Sequence, residues 1–103
     1  MYNIDIKFEY YPLKSVFNLR KHGLSFEEAK NLWFVQNVFL ELKHEKEKRL
    51  MLIGLLNDKC YSCVFTLRES RVRIISVRRS RKNEEELYHE KRQEKKDDFS
   101  QGI

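Results

Sequence analysis

The amino-acid sequence predicts an α+β fold in which an N-terminal strand and a helical hairpin pack on an antiparallel sheet that is followed by a C-terminal helix. Three observations lead to this prediction: a short alternating segment at the start, two helical patterns separated by a turn signal, and three consecutive segments of strong β character. The chain has 103 residues, the size of one domain, so an enzyme built around a cleft between two domains is not expected.

The first strand is predicted over residues 3–9, where apolar and polar residues alternate as in a half-buried strand. A helix then begins at Pro12, because the fixed φ and the missing N–H of proline suit the first helical turn. An apolar stripe at helical spacing follows, and it is expected to face the core. The apolar positions are Ile4, Ile6 and Phe8 in the strand and Leu13, Val16 and Phe17 in the helix.

A helix stop and a helix start adjoin between residues 19 and 28. Gly23 can adopt the left-handed conformation that ends a helix, and Leu19 with Leu24 matches the apolar contact that accompanies such an end. Ser25 and Glu28 have the spacing of a capping box, which begins a second helix. Its apolar face is formed by Phe26, Ala29, Leu32 and Trp33, and these aromatic residues, like Phe17, are expected to pack in the core rather than stack on bases.

Three strands are predicted over residues 49–56, 60–68 and 71–78, after a poorly defined stretch in which a short strand is possible. The turns at residues 57–59 and 69–70 are short enough for an antiparallel meander. The first of these strands is apolar on both faces, so the helices cover one face and something else must cover the other. That cover is the C-terminal segment, a second subunit or a partner protein.

The last helix is predicted to begin near Asn83, because the glutamates that follow complement the positive end of the helix dipole. Beyond residue 91 its apolar stripe ends. The sequence therefore predicts one domain over residues 1–91 and a charged, flexible tail over residues 92–103, in which Phe99 and Ile103 are candidate partner contacts. The residues that share one face of the helix are Glu84, Leu87, Tyr88 and Lys91.

The charge of the chain favours an anionic partner. Lys and Arg number 21 against 16 Asp and Glu, which gives a net charge of +5 and a pI of about 9.3. Residues 68–82 hold seven cations against Glu69 alone, which suits nucleic acid; the alternative is an exposed basic strand that the following acidic residues balance. No apolar run reaches the ~18 residues that a membrane span needs, so a cytoplasmic protein without a membrane partner is expected.

Neither the cysteines nor the histidines indicate a metal. Cys60 and Cys63 are three apart on a predicted strand, so their side chains point to opposite faces. His22 lies at a helix end, where a structural role is the simpler interpretation, although unperturbed imidazole titrates near neutral pH. His44 and His89 are expected to face solvent. We therefore predict no metal site and no cofactor.

Cleavage of RNA without a metal needs a group that takes the 2′-hydroxyl proton, an acid for the leaving oxygen, and cations for the charged phosphorane. Arginine suits the last task because its planar guanidinium pairs with phosphate and keeps its charge. Strict alternation would place Arg73 and Arg78 on opposite faces, so they converge only if the strand twists or bulges. The candidates are Arg49, Arg68, Arg73 and Arg78 for phosphate, Glu84 or Tyr88 for proton transfer, and Lys21 or His22 in assistance. Further contacts with RNA are predicted for Arg71, Arg79, Arg81, Lys82 and Tyr88.

A series of motifs occurs in a fixed order over about residues 6–90. They are Phe8-Glu9-Tyr10, Pro12-x-Lys14, Asn18, Lys21-His22-Gly23 followed by Ser25-Phe26-Glu27-Glu28-Ala29, Arg49, Ile53-Gly54, Thr66-x-Arg68, and Arg73-Ile74-Ile75-Ser76-x-Arg78 leading to Glu84 and Tyr88. In this order and spacing they resemble the BrnT family of bacterial toxins. The usual Phe-Glu-Trp-Asp opening of that family ends here in Tyr10-Tyr11, which removes an acidic cap before the first helix.

The resemblance implies a fold similar to that of the RelE and ParE toxins, with two helices on a curved antiparallel sheet. It implies a metal-independent endoribonuclease that inhibits translation. It also implies a BrnA-type antitoxin with a ribbon-helix-helix part, which neutralises the toxin, covers exposed apolar sheet and forms a hetero-oligomer on operator DNA.

Two other functions remain open at this point. One is a non-catalytic or degenerate toxin that binds nucleic acid or its antitoxin for control of the operon. The other is poisoning of a protein such as a gyrase. The ribonuclease hypothesis depends on guanidinium groups from distant segments gathering in one pocket around the scissile phosphate.

Overall fold

A computed structural model describes residues 5–101 of the chain, with side chains for residues 5–94. The predicted α+β class is confirmed, and the strands form one open sheet in the order β1-β5-β4-β3-β2. The elements are β1 (Phe8–Glu9), α1 (Pro12–His22), α2 (Phe26–Ala29), a 3₁₀ segment (Lys30–Phe34), β2 (Asn37–Leu42), β3 (Arg49–Leu56), β4 (Lys59–Arg68), β5 (Arg71–Arg79) and α3 (Lys82–Gln101).

Strands β2 to β5 form the predicted antiparallel meander. Both of its tight turns have positive φ at two successive residues, Asn57 and Asp58 in one and Glu69 and Ser70 in the other, as the favoured two-residue hairpin turns require. Strand β1 pairs in parallel with β5, so the sheet is mixed rather than wholly antiparallel. This strand has two residues instead of the predicted residues 3–9, and Ile4 lies outside the described part of the chain.

The signals between the first two helices are confirmed. Gly23 ends α1 with a φ of 78°, and its N–H donates to the Leu19 carbonyl at 2.8 Å. The Ser25 hydroxyl accepts from the Glu28 N–H at 3.0 Å, while the Glu28 carboxylate accepts from the Ser25 N–H at 3.1 Å, which completes the capping box. Leu24 is buried but Leu19 is 45% exposed, so the latter adds little to the core.

The sheet carries one apolar core on each face. The core between the sheet and the segment that contains α2 and the 3₁₀ helix consists of Leu24, Phe26, Ala29, Leu32, Leu52, Cys63, Phe65, Val72, Ile74 and Val77. The opposite core, which includes a residue of α3, consists of Val38, Met51, Ile53, Cys60 and Tyr88. Alternate residues of β3 enter different cores, as its two apolar faces predicted, and the C-terminal segment supplies the second cover. The two cysteines also lie in different cores, as predicted.

The packing face predicted for α1 is wrong, because the buried side of this helix is polar. Its buried residues are Ser15 and Asn18. The Ser15 hydroxyl accepts from the Phe26 N–H at 2.9 Å, and Asn18 bonds backbone groups on β5. Both side chains thus satisfy buried backbone groups that an apolar residue would leave without a partner. The apolar residues point to solvent, with exposed fractions of 71% for Leu13, 44% for Val16 and 61% for Phe17.

A bulge in β5 changes which of its residues share a face. The register between β4 and β5 shifts between Val64 and Phe65, and Ile75 is the extra residue on β5. The alternation of side chains therefore moves by one position at this point. As a result Arg73 and Arg78 lie on the same face, which strict alternation along the strand would forbid.

Helix α3 begins one residue before the predicted start and continues past residue 91, where its apolar stripe ends, to Gln101. The flexibility of residues 92–103 remains a prediction. The side chain of Phe99 and all of Ile103 lie outside what the structure describes. Among the described helices, none combines the length and the apolar character that crossing a membrane requires.

Candidate functional site

Four residues form a row across the sheet face on which α3 packs. Arg49 pairs with Thr66, Thr66 with Arg73, and Arg73 with Glu9. Directly paired residues point to the same face of a sheet, so the four side chains lie side by side. We call them the arginine row. The side chains of Arg49 and Arg73 keep 32% and 18% of their surface exposed, so solutes can reach both.

Arg73 is held between a carboxylate and an aromatic ring. Its Nη1 donates to Glu9 Oε2 at 2.6 Å, and its Cζ lies 4.5 Å from the centre of the Tyr11 ring, which is a cation–π distance. Tyr11 is the N-cap of α1 and forms no capping bond through its side chain, as expected where the acidic cap is missing. The other N–H groups of Arg73 make no hydrogen bond to the described residues, so they are available to an anion.

Arg49 lies beside the loop of residues 43–48. Its Nε donates to Glu47 Oε1 at 3.0 Å. The Thr66 hydroxyl donates to the Lys48 carbonyl at 2.6 Å, which ties the end of this loop to the arginine row. Both Nη atoms of Arg49 are without a hydrogen-bond partner in the described part of the chain, so they too can bind an anion.

A cleft of about 490 Å³ adjoins Arg49, and its other lining residues are Lys43, His44, Glu45 and Lys46. The Nδ1 atom of His44 accepts from the Lys46 N–H at 3.3 Å. Because Nδ1 accepts this bond, Nε2 carries the ring proton and is the donor of the imidazole. His44 is exposed, as predicted, and the cleft places its imidazole near the guanidinium of Arg49.

A second cluster surrounds Glu84 at the start of α3. Arg78 forms a bidentate pair with it, through Nη1 to Oε1 at 2.7 Å and Nη2 to Oε2 at 2.8 Å. The Ser62 hydroxyl donates to Oε1 at 3.0 Å, and the Arg81 backbone N–H donates to the same oxygen at 2.8 Å. Ser62 also bonds the Ser80 hydroxyl at 2.8 Å. Five groups from β4, β5 and α3 are thus joined in one polar network.

This network fixes the charge of Glu84. Burial alone would raise the pKa of its carboxyl, but the hydrogen bonds from Arg78, Arg81 and Ser62 outweigh burial and lower the pKa to about 2. The bond to Glu84 in turn raises the pKa of Arg78. Glu84 is therefore ionised at neutral pH, with both oxygens occupied, and is poorly suited to proton transfer. An acid–base role for Glu84 stays a prediction, and in the folded chain its carboxylate is bound by Arg78, Ser62 and the Arg81 backbone.

Three of the predicted arginines are divided between two clusters, with Arg49 and Arg73 in one and Arg78 in the other. Arg49, Arg73 and Arg78 each bind a different glutamate. The β4 partners of Arg73 and Arg78 are Thr66 and Ser62, four residues apart, or about 13 Å along a strand. The sheet face therefore presents two separate arginine clusters.

The remaining predicted residues lie around these clusters or apart from them. Tyr88 is 2% exposed inside the second core, so its side chain has no surface to offer to RNA or to a proton donor in solvent. Lys21 and His22 at the end of α1 line a different cleft, which Ile75 of β5 also lines. The other predicted cations are exposed: Arg68 and Arg71 at the last hairpin, Arg79 over the Tyr61 ring, Arg81 before α3 and Lys82 at its first position.

Five residues of these clusters and of the cleft beside Arg49 received no site role from sequence analysis. They are Glu9, His44, Ser62, Thr66 and Ser80. Ser62 and Thr66 gave a usable signal, because two small polar residues four apart interrupt an otherwise apolar strand and so must share a face. His44 gave none, since its place depends on how the loop folds back beside β3.

Metal and thiol chemistry find little support in the described residues. No group of three or more His, Cys, Asp or Glu side chains there is arranged to hold a metal ion. Both cysteines are free and buried, and burial raises the pKa of the Cys63 thiol and of the Cys60 thiol. Reactive cysteines have the opposite character, namely exposure and a lowered pKa.

Comparison with known families gives one match. A family model described as "Ribonuclease toxin, BrnT, of type II toxin-antitoxin system" matches residues 10–84, which is more than half of the chain. The matched segment runs from Tyr10 to Glu84, so it includes every member of the two arginine clusters except Glu9. No curated protein matches the chain.

Proposed function

Because the chain belongs to the BrnT family of ribonuclease toxins of type II toxin-antitoxin systems, we propose that it is a metal-independent endoribonuclease that cleaves cytoplasmic RNA and so inhibits translation. The observation that carries this proposal is the arginine row. Two guanidinium groups stand on one sheet face, on either side of Thr66, and both keep N–H donors for a phosphate. The scissile phosphate binds at this row.

The row fits the charge that develops during cleavage. The 2′-hydroxyl attacks the adjacent phosphorus and loses its proton to a base, while the 5′-oxygen of the next nucleotide leaves with a proton from an acid. Negative charge grows on the non-bridging oxygens, where fixed cations stabilise the transition state more than the ground state. Arg49 and Arg73 supply those cations, and the product carries a 2′,3′-cyclic phosphate.

His44 is the best placed group for proton transfer. It shares a cleft with Arg49 and its side chain is exposed, so RNA bound at the row can reach the imidazole. Glu9 is the second candidate, because its carboxylate lies against Arg73 at the other end of the row. In this arrangement Arg78 and Glu84 hold the start of α3 on the sheet. The exposed cations Arg68 and Arg71, together with those that follow β5, attract the RNA backbone.

We also propose a BrnA-type ribbon-helix-helix antitoxin that forms a hetero-oligomer with this chain and binds operator DNA. Membership of a type II family implies a protein antitoxin. The outer side of α1 exposes Leu13, Val16 and Leu19, apolar surface of the kind that a protein partner covers. The two helices on one face of the sheet support a relation to the RelE and ParE toxins.

Cleavage of an end-labelled RNA by the purified protein in EDTA tests the proposal. The wild type is expected to cut and to leave 2′,3′-cyclic phosphate ends. Arg49→Ala and Arg73→Ala are each expected to lower the cleavage rate by about 10²-fold, the loss typical of one transition-state donor. Lys59→Ala removes an exposed cation at the far end of β4 and is expected to keep the wild-type rate.

Two results would contradict the proposal. One is intact RNA with soluble, folded wild-type protein, in vitro and after induced expression. The other is an Arg49→Ala, Arg73→Ala double variant that cuts as fast as the Lys59→Ala control. Thermal unfolding of each variant separates loss of chemistry from loss of structure.

A non-catalytic binding module is the second candidate, and one observation favours it. Arg49, Arg73 and Arg78 are each bound to a glutamate, as arginines that only stabilise a fold would be. Such a module would bind RNA or its antitoxin and control the operon without cutting. RNA affinity that falls with salt, at a log-log slope of several units, together with the absence of cleavage products, would identify it.

A further inference from the structure

A cleft beside α1 combines an exposed aromatic ring with cations. Phe17 is 61% exposed, and it lines this cleft of about 190 Å³ together with Lys14, Lys21 and His22. These residues share one flank of the helix, since Lys14 and Lys21 lie three residues before and four residues after Phe17. None of the lining residues is acidic. The site is thus an aromatic platform surrounded by positive charge.

Tyr11 lies between a lysine of this cleft and the arginine row. Lys14 Nζ lies 5.5 Å from the centre of the Tyr11 ring, and Arg73 Cζ lies 4.5 Å from the same centre. Tyr11 is itself 57% exposed. A path of alternating cations and rings therefore leads from Arg73 over Tyr11 and Lys14 to Phe17.

This pattern has the chemistry of single-stranded nucleic acid. Cations follow a phosphate backbone, and exposed rings stack on bases of any sequence. A folded helix has little reason to expose a phenylalanine between lysines, since the same ring could have packed on the sheet. The buried side of α1 is instead polar. Phe17 therefore contributes nothing to the core and remains on the exposed surface of the helix.

We propose that the flank of α1 formed by Lys14, Phe17 and Lys21 binds single-stranded RNA next to the segment that is cleaved. Phe17 stacks on an unpaired base, while Lys14 and Lys21 bind its flanking phosphates. Tyr11 carries the strand onward to Arg73. This inference rests on the proposed function, because it supplies the substrate path for the same row.

Fluorescence anisotropy with a labelled, 2′-O-methylated single-stranded oligoribonucleotide tests the path, because that probe binds but cannot be cut. Phe17→Ala is expected to weaken binding by about 10-fold, the typical effect of one stacked base. The matched control is Val16→Ala, which truncates the neighbouring exposed residue on the opposite flank of α1. The Val16→Ala change is expected to alter RNA affinity less than about two-fold, because no base stacks on this residue in the proposed path.

The cleavage assay separates this inference from the proposed function. If the wild type cuts RNA but Phe17→Ala binds and cuts like Val16→Ala, the path is wrong and the active row stands. Equal weakening in both variants would indicate a disturbed helix and also overturn the path. If Phe17→Ala keeps its RNA affinity but no longer copurifies with the co-expressed antitoxin, the flank is a protein-binding surface and the inference fails. A wild type that neither binds nor cuts RNA overturns both proposals.

Discussion

The side-chain amide of Asn18 pairs with both backbone groups of Val77. Its Nδ2 donates to the Val77 carbonyl at 2.8 Å, and its Oδ1 accepts from the Val77 N–H at 3.2 Å. A third bond runs from Nδ2 to the Leu24 carbonyl at 2.7 Å. Strand β1 ends its pairing with β5 at Arg73, so the amide takes the place of a neighbouring strand at this edge. Asn18 therefore joins α1, the following turn and the sheet.

Replacing Asn18 by alanine is expected to destabilise the protein by about 2 to 4 kcal/mol, because three buried backbone groups lose their partners. Urea unfolding followed by circular dichroism measures the change. Asn31→Ala is the control, since Asn31 is exposed and forms one bond, to the Glu28 carbonyl, and its loss should cost less than about 0.5 kcal/mol. Similar midpoints for both variants would show that the edge amide is dispensable.

Gly23 is expected to tolerate asparagine better than alanine. A Cβ at this position would meet no atom within 4 Å, but the φ of 78° is left-handed, so the cost is one of backbone strain. Gly23→Ala should therefore lower the free energy of unfolding by about 1 kcal/mol. Gly23→Asn should lose less, because asparagine enters this region more readily. The order of the two urea midpoints checks the prediction, and an alanine variant as stable as the wild type would contradict it.

Glu84 is expected to make stability depend on acid pH. Its pKa falls to about 2 in the folded chain from its ordinary 4.5, so in acid the unfolded chain takes up the proton first. The stabilisation is complete above pH 4.5 and is lost as pH falls toward 2, by about 3 kcal/mol. Denaturation at pH 7 and at pH 2.5 measures this component.

Glu84→Gln removes the carboxyl group that takes up the proton. The free energy of unfolding of this variant should therefore change less between pH 7 and pH 2.5 than that of the wild type. It should also be less stable at pH 7, by about 3 kcal/mol, since Arg78 loses a buried partner. Glu86→Gln alters an exposed glutamate of the same helix turn and should keep the wild-type acid dependence. A parallel pH dependence in all three proteins would mean that the network around Glu84 carries no such energy.

Local signals in the sequence predicted local structure well. The capping box at Ser25 and Glu28 and the turn at Gly23 depend only on neighbouring residues, so they could be identified before any tertiary contact was known. The polar packing face of α1 could not, because Ser15 and Asn18 are buried only by virtue of the backbone groups that they meet on other segments. Helical periodicity assumes that the apolar stripe faces inward, and here that assumption was wrong.

The candidate site was predicted in its chemistry more than in its geometry. Arginine content indicated phosphate binding, which stays a prediction, and the register places Arg49 and Arg73 on either side of Thr66. The bulge at Ile75 brings Arg78 to the same face, but a bulge depends on the partner strand and leaves no fixed mark in a single sequence. The separation into two clusters follows from that register and from Glu84, whose hydrogen bonds no spacing rule reveals.

His44 is expected to affect cleavage without affecting stability. It lines the cleft beside Arg49 and bonds the described residues through Nδ1, so its Nε2 is free to exchange a proton with RNA. His44→Gln replaces the imidazole with a neutral amide and should lower the single-turnover cleavage rate by about 10²-fold, the usual contribution of a general acid or base. It should also remove one limb of the pH–rate profile, which a merely structural residue would leave in place. His89→Gln is the control, because His89 is an exposed residue of α3 that contacts the Tyr88 ring edge-to-face and lines neither the cleft beside Arg49 nor the arginine row. If His44→Gln cuts at the wild-type rate with an unchanged profile, the proton passes through another group, and Glu9 beside Arg73 is then the residue to replace.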